Sequence, residues 1–219
     1  VYDVISKRRY PDTISYHKSS FDTHGMIVDP YFILCPPEKR HAIYDADVPL
    51  RALLPKGLSG ILVTGLGASA DRDAMPVIRM QSCLQNQGYA VGYLAALAVK
   101  ENKPVTKVDI KKVQKYLVGM KNMPEHVIND KPFKGYSNKA FAEAASNAKD
   151  NYKGLEILLT DTTRCIQAVE KELATATTAN ERINLASILC ILGDKTYAFV
   201  LAGELQRHKE WDAGWNYTG

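Results

Sequence analysis

The chain has 219 residues, 46% of them hydrophobic and 24% charged, with a net charge of +4. That length suffices for one large or two modest domains with their own cores. Lysine and arginine are dispersed, no basic run reaches five, and no apolar stretch reaches the roughly 18 residues of a membrane span. Nucleic-acid binding and membrane spanning are set aside on those grounds.

Residues 1–60 read as irregular and β-rich. Val4-Ile5, Met26-Ile27-Val28 and Tyr31-Phe32-Ile33-Leu34 are short apolar runs, the last closed by Pro36-Pro37, which cannot continue a strand ladder. Ile61-Leu62-Val63-Thr64 is predicted as a strand buried on both faces, and Gly65-Leu66-Gly67 as a tight turn. Apolar residues three and four apart predict helices over 77–84 and 87–100. Gly88, Ala90, Gly92, Ala95, Ala96 and Ala98 would let the second of these pack closely against something flat. Pro104 interrupts the pattern, and residues 109–120 resume it as a short amphipathic helix.

Residues 122–135, with Pro124, Pro132 and Gly135, read as a linker between domains at 1–121 and 136–219. The second domain reads as helix throughout. Ser137 is placed to cap a helix over 138–149, and Cys165, Ile166, Val169 and Leu173 form an apolar stripe over 161–173. Asn180 is expected to start a helix that Gly193 stops, and Asp194 to cap the next. Leu159-Thr160-Asp161 and Leu192-Gly193-Asp194 align at an offset of 33, the mark of stacked helical hairpins of the HEAT or armadillo kind. The expected fold class is thus α/β followed by an all-α HEAT-like domain. The start at Val1-Tyr2 and the two tryptophans among the last nine residues suggest a piece of a longer protein. Its compartment is not legible.

Chemistry-bearing motifs are sparse. Cys35, Cys83, Cys165 and Cys190 show no metal-ligand spacing, and Cys165 and Cys190 fall in apolar helical patterns as small hydrophobes. His17, His24 and His41 have no metal-like spacing with nearby carboxylates, so no metal site is read. His24 with Asp22, and His41 with Asp45, form candidate acid–base pairs. Residues 65–70 fit the loose pattern G-x-G-x-x-A after a predicted strand. Yet no acidic residue lies between Asp73 and Glu101, and no second parallel strand follows. The turn is therefore not the first βαβ unit of a dinucleotide fold.

Several segments, in order, carry a family resemblance: Phe21-Asp22-Thr23-His24-Gly25, Asp47-Val48-Pro49-Leu50-Arg51-Ala52-Leu53-Leu54-Pro55-Lys56-Gly57 and Ile61-Leu62-Val63-Thr64-Gly65. Ala68-Ser69-Ala70, Arg79-Met80-Gln81 and Gln87-Gly88-Tyr89-Ala90-Val91-Gly92 complete the set. Residues 10–120 resemble the C-terminal half of flavin-dependent oxidoreductases with a glutathione-reductase-type FAD fold, a group also labelled xanthan lyase. The helical tail resembles an extension found in some of these proteins.

The resemblance implies FAD as cofactor and hydride transfer from an organic or carbohydrate-related substrate to the flavin. It places Gly65, Ala68, Ser69 and Ala70 near the ribityl or phosphate region of FAD. It implies that Gln87, Gly88 and Tyr89 open a helix whose positive end faces the flavin, with Arg79 and His24 as catalytic candidates. Related proteins carry Gly-Arg where Gly65-Leu66 stand here. The glycine fingerprint that clasps the ADP half of FAD is not in this chain, so the isolated piece is expected to be inactive and without FAD. Two alternatives stand beside this reading: a non-catalytic helical module that binds a protein partner, and a xanthan-type polysaccharide lyase.

Overall fold

The structure, a computed structural model, describes residues 1–35 and 38–207. In chain order its first elements are α1 (Tyr2–Ile5), β1 (Thr13–Ser19), α2 (Pro30–Leu34), α3 (Glu38–His41) and β2 (Tyr44–Pro49). Then come α4 (Met75–Ile78), α5 (Gln81–Lys100) and α6 (Ile110–Gly119). The rest is α7 (Asn138–Asn151), α8 (Leu155–Leu158), α9 (Thr162–Leu173), α10 (Ala179–Ile191) and α11 (Ala198–Arg207). Two compact units result, one of residues 1, 3–22 and 40–134, the other of residues 2, 23–39 and the chain from 135 onward.

In the first unit β1 and β2 pair antiparallel, with Tyr16 opposite Asp47 and His17 opposite Ala46, and a register shift between Thr13 and Ser15. Successive side chains on a strand alternate between faces, so Ser15 and His17 share one. Helix α5 packs on β1, and α4 lies against both strands. Helix α5 buries Ala90, Val91, Leu94, Leu97 and Ala98, the three- and four-residue spacing that makes one helical face. Complete burial of a leucine such as Leu94 contributes about 1.5–3 kcal/mol. Helix α6, capped by the Asp109 carboxylate on the Lys111 N–H, adds Val113 and Leu117 to this core. Tyr93 of α5 stacks on Tyr116 of α6 with ring centroids 3.8 Å apart and planes 8° from parallel.

The sequence expectations need correction here. Residues 61–64 form no strand: Ile61 is 47% exposed, and the Val63 N–H donates to the Leu53 carbonyl at 2.9 Å rather than to a ladder. An apolar run becomes a strand only where a neighbour offers its edge, and the one sheet among the described residues is the β1–β2 pair. The strands lie at Thr13–Ser19 and Tyr44–Pro49, while Val4-Ile5 and residues 31–34 are helical. The described chain is therefore mostly helical with a two-stranded sheet, not built on a parallel sheet. Met123 and Val127, in the stretch 122–135 expected to be a linker, are buried. Helix α5 begins at Gln81, which places Gln87, Gly88 and Tyr89 in its second and third turns rather than at its start.

In the second unit α7, α9 and α10 each touch the other two, and α11 lies on α10. Phe141, Ala145, Leu155, Cys165, Leu185 and Leu189 form its core, whereas Cys190 is only half-buried. Ser137 caps α7 and Asp161 caps α9, each accepting a backbone N–H from the first turn. The cap of α10 is Thr178, not Asn180: its hydroxyl accepts the Glu181 N–H while the Glu181 carboxylate accepts the Thr178 N–H. Gly193 follows the end of α10, and Asp194 caps the turn leading into α11. Gly154 sits at φ +89° with Ala144 so close that a Cβ would lie 2.9 Å from its Cα. The expected prolines at 36 and 37 and the tryptophan-rich end at 211–219 fall outside the described residues.

Candidate functional site

The turn at residues 65–67 is held by side chains from β1 and α5. Gly65 takes φ +65°, open to glycine at no steric cost, and its N–H donates to Gln87 Oε1 at 2.8 Å. The Gln87 amide also donates to Ser15 Oγ at 3.2 Å and meets His17 Nε2 at 3.3 Å. Ser15 Oγ and His17 Nε2 are 3.0 Å apart, and Ser15, His17 and Gln87 are all buried. Burial lowers the His17 pKa to about 4, because the site lacks water to stabilise an imidazolium. His17 is thus a neutral member of a buried polar network in which its Nδ1 has no hydrogen-bond partner.

A cleft of about 740 Å³ lies beside the turn, with Ser69 and Ala70 on its wall together with Arg8, Tyr10, Asp47 and Arg51. Its charges are matched in pairs. Arg8 donates to Asp3 at 2.9 Å, and Arg51 pairs with Asp12. The Tyr10 hydroxyl donates to Asp3, and both guanidiniums flank the Tyr10 ring at 5.2 and 4.9 Å. Burial, then the bond to Asp3, hold the Tyr10 hydroxyl well above its ordinary pKa.

The residues expected to contact a cofactor do not converge on one place. Gly65 and Gln87 bond each other, Ser69 and Ala70 face the cleft, and Gly88 and Tyr89 lie exposed on α5. The Tyr89 hydroxyl is 3.0 Å from that of Tyr116. Arg79 donates to the Asp22 carbonyl at 3.2 Å, and His24 is exposed in the other unit.

A further group was not read from the sequence. His126 Nδ1 lies 2.9 Å from Asp130 Oδ2, and His126 Nε2 lies 3.7 Å from Asp47 Oδ1. The i,i+4 spacing of His126 and Asp130 was a local signal for it. Asp47, 79 residues earlier by subtraction (126 − 47), was beyond any local pattern.

A family model described as FAD dependent oxidoreductase matches residues 1–117. The chain belongs to the FAD dependent oxidoreductase family. Comparison with curated proteins and with solved structures returned no match.

Membership in the FAD dependent oxidoreductase family implies FAD as the cofactor, and the turn can be tested for it. A backbone cradle for a pyrophosphate needs N–H groups with no other acceptor. Here the N–H of Gly65 goes to Gln87 Oε1, that of Gly67 to the Thr64 carbonyl, that of Ala68 to the Gly65 carbonyl and that of Ser69 to the Ala52 carbonyl. Every one of these donors is spent inside the chain. The turn as folded does not fit a phosphate cradle.

Proposed function

We propose that this chain serves FAD-dependent oxidation of an organic substrate, with the cleft beside residues 69–70 as the place where a polar organic molecule is received. The observation that carries the reading is the family match over residues 1–117. The cleft supports it by position and by chemistry. Its paired carboxylates and guanidiniums offer alternating acceptors and donors without a large net charge, which suits a neutral, hydroxyl-rich ligand better than an anion.

These 219 residues alone are proposed not to hold FAD tightly, since the turn's donors are spent. Titration of the chain with FAD, followed by flavin fluorescence, is expected to show no saturable quenching at low micromolar concentration. A Kd of about 1 µM or tighter would overturn that. A full-length preparation is expected to be yellow and to bleach on anaerobic addition of substrate. A colourless, unresponsive one would sink the oxidoreductase reading.

A second reading, a helical module that binds a protein partner, is favoured by Phe199 and Leu205 of α11, which are 71% and 75% exposed. Loss of partner capture on Phe199→Ser would support it.

A further inference from the structure

Three residues from two distant segments of the first unit meet at the edge of the β1–β2 hairpin. Asp47 comes from β2, and His126 and Asp130 from the turn that follows Pro124. One atom from each can be chosen so that all three lie within 4.8 Å of one another. Asp47 is 6% exposed, and its Oδ1 is buried without accepting a hydrogen bond. That atom faces His126 Nε2 at 3.7 Å.

The distance is informative. At 3.7 Å the pair is too long for a hydrogen bond, and a water bridging it with two legs of about 2.8 Å would close to a strained angle of about 80°. Two legs of about 2.1 Å, the length of a zinc–nitrogen or zinc–oxygen bond, span the same gap at about 120°. The other ring nitrogen is already committed. With its proton on Nδ1, His126 donates to Asp130 at 2.9 Å, which fixes the tautomer and leaves Nε2, 3.7 Å from Asp47 Oδ1, with a free lone pair. The Tyr16 ring meets the imidazole edge-on at 6.3 Å and steadies its plane. Arg9 approaches the opposite oxygen of Asp47, Oδ2, at 3.8 Å, so the Oδ1 side stays clear of it.

We propose that Asp47 Oδ1 and His126 Nε2 bind a divalent transition-metal ion of the zinc type, with Asp130 as the residue that orients the histidine and water completing the coordination. Asp47 also lines the cleft, but the metal site follows from the geometry of these three residues and not from the reading of the cleft as a substrate site.

The test uses the 219-residue chain stripped with chelator and titrated with zinc chloride in a calorimeter, then with cobalt chloride in a spectrophotometer. One equivalent is expected to bind, and cobalt is expected to give the intense visible bands of a low-coordinate site. His126→Gln and Asp47→Asn are each expected to abolish the stoichiometric event. Asp130→Asn, which keeps the shape of the site, is expected to retain it with affinity lowered by about 10- to 100-fold. Far- and near-ultraviolet circular dichroism verifies that each variant is folded, and if either ligand variant is not, Asp130→Asn alone decides. No stoichiometric binding to the parent chain overturns the proposal. So does binding that His126→Gln leaves unchanged, or that Asp130→Asn does not weaken.

Discussion

Gln87 joins three segments that are far apart in the chain: β1 through Ser15 and His17, the turn through Gly65, and its own helix α5. A buried amide in such a place is worth most when every partner is present, because removing it orphans the others. Gln87→Leu keeps the volume and removes the bonds, leaving the Gly65 N–H unpaired and the Ser15 hydroxyl with His17 Nε2 alone. We expect it to destabilise the chain by about 2–3 kcal/mol, read by urea denaturation. Gly154 is a second position with no alternative. Its φ of +89° strains any L side chain, and a Cβ there would meet the Ala144 backbone at 2.9 Å. Gly154→Ala is expected to cost about 2–3 kcal/mol by the same measurement, as packed backbone shifts to admit the methyl.

At the scale of elements, α5 shows what its small residues do and do not accomplish. Ala90 and Ala98 are buried, as close packing requires, but Gly88 and Gly92 lie on the exposed face, where an added Cβ would meet nothing within 4 Å. Glycine inside a helix costs about 1 kcal/mol relative to alanine. Gly88→Ala and Gly92→Ala are therefore expected to raise stability by about 0.5–1 kcal/mol each, measured as an upward shift in the denaturation midpoint. A concurrent loss of flavin from the full-length protein would show that the cofactor approaches this bare face.

Helix ends were legible from the sequence because capping is local: Asp109, Ser137, Asp161 and Asp194 stand at the starts they were expected to mark. Thr178 was missed because its signature runs through Glu181 three residues on, while Asn180 stood nearer the apolar run. The strands were not legible. β2 carries Asp45 and Asp47, residue types that strands disfavour, and the apolar run at residues 61–64 reads as strand but finds no neighbouring edge. The Asp47–His126–Asp130 cluster depends on tertiary contact, and a proline-bounded stretch that looks like linker conceals two of its three residues.

For the whole molecule, the buried network around His17 sets an acid limit. His17 titrates near 6.5 when unfolded and near 4 when folded, so the unfolded state takes up its proton first as pH falls. The stability it confers is complete above 6.5 and is lost progressively between 6.5 and 4. Asp47 works in the opposite sense over part of this window, because burial raises its folded pKa to about 6 and protonation then favours the folded state. The His17 contribution is isolated by comparing the parent chain with His17→Asn. Their difference in unfolding free energy is expected to shrink by about 2 kcal/mol between pH 7 and pH 5. A difference independent of pH would show that folding leaves the His17 pKa unshifted.

The stacked pair Tyr93 and Tyr116 gives the molecule an optical handle. Two phenol rings 3.8 Å apart and nearly parallel couple their electronic transitions, so they should dominate the near-ultraviolet dichroism of the described region. Both tryptophans lie in the last nine residues, so their fluorescence reports from a different part of the chain. The same sample therefore offers two colours of signal. The tyrosine band follows the docking of α6 on α5, and the tryptophan band follows the C-terminal end.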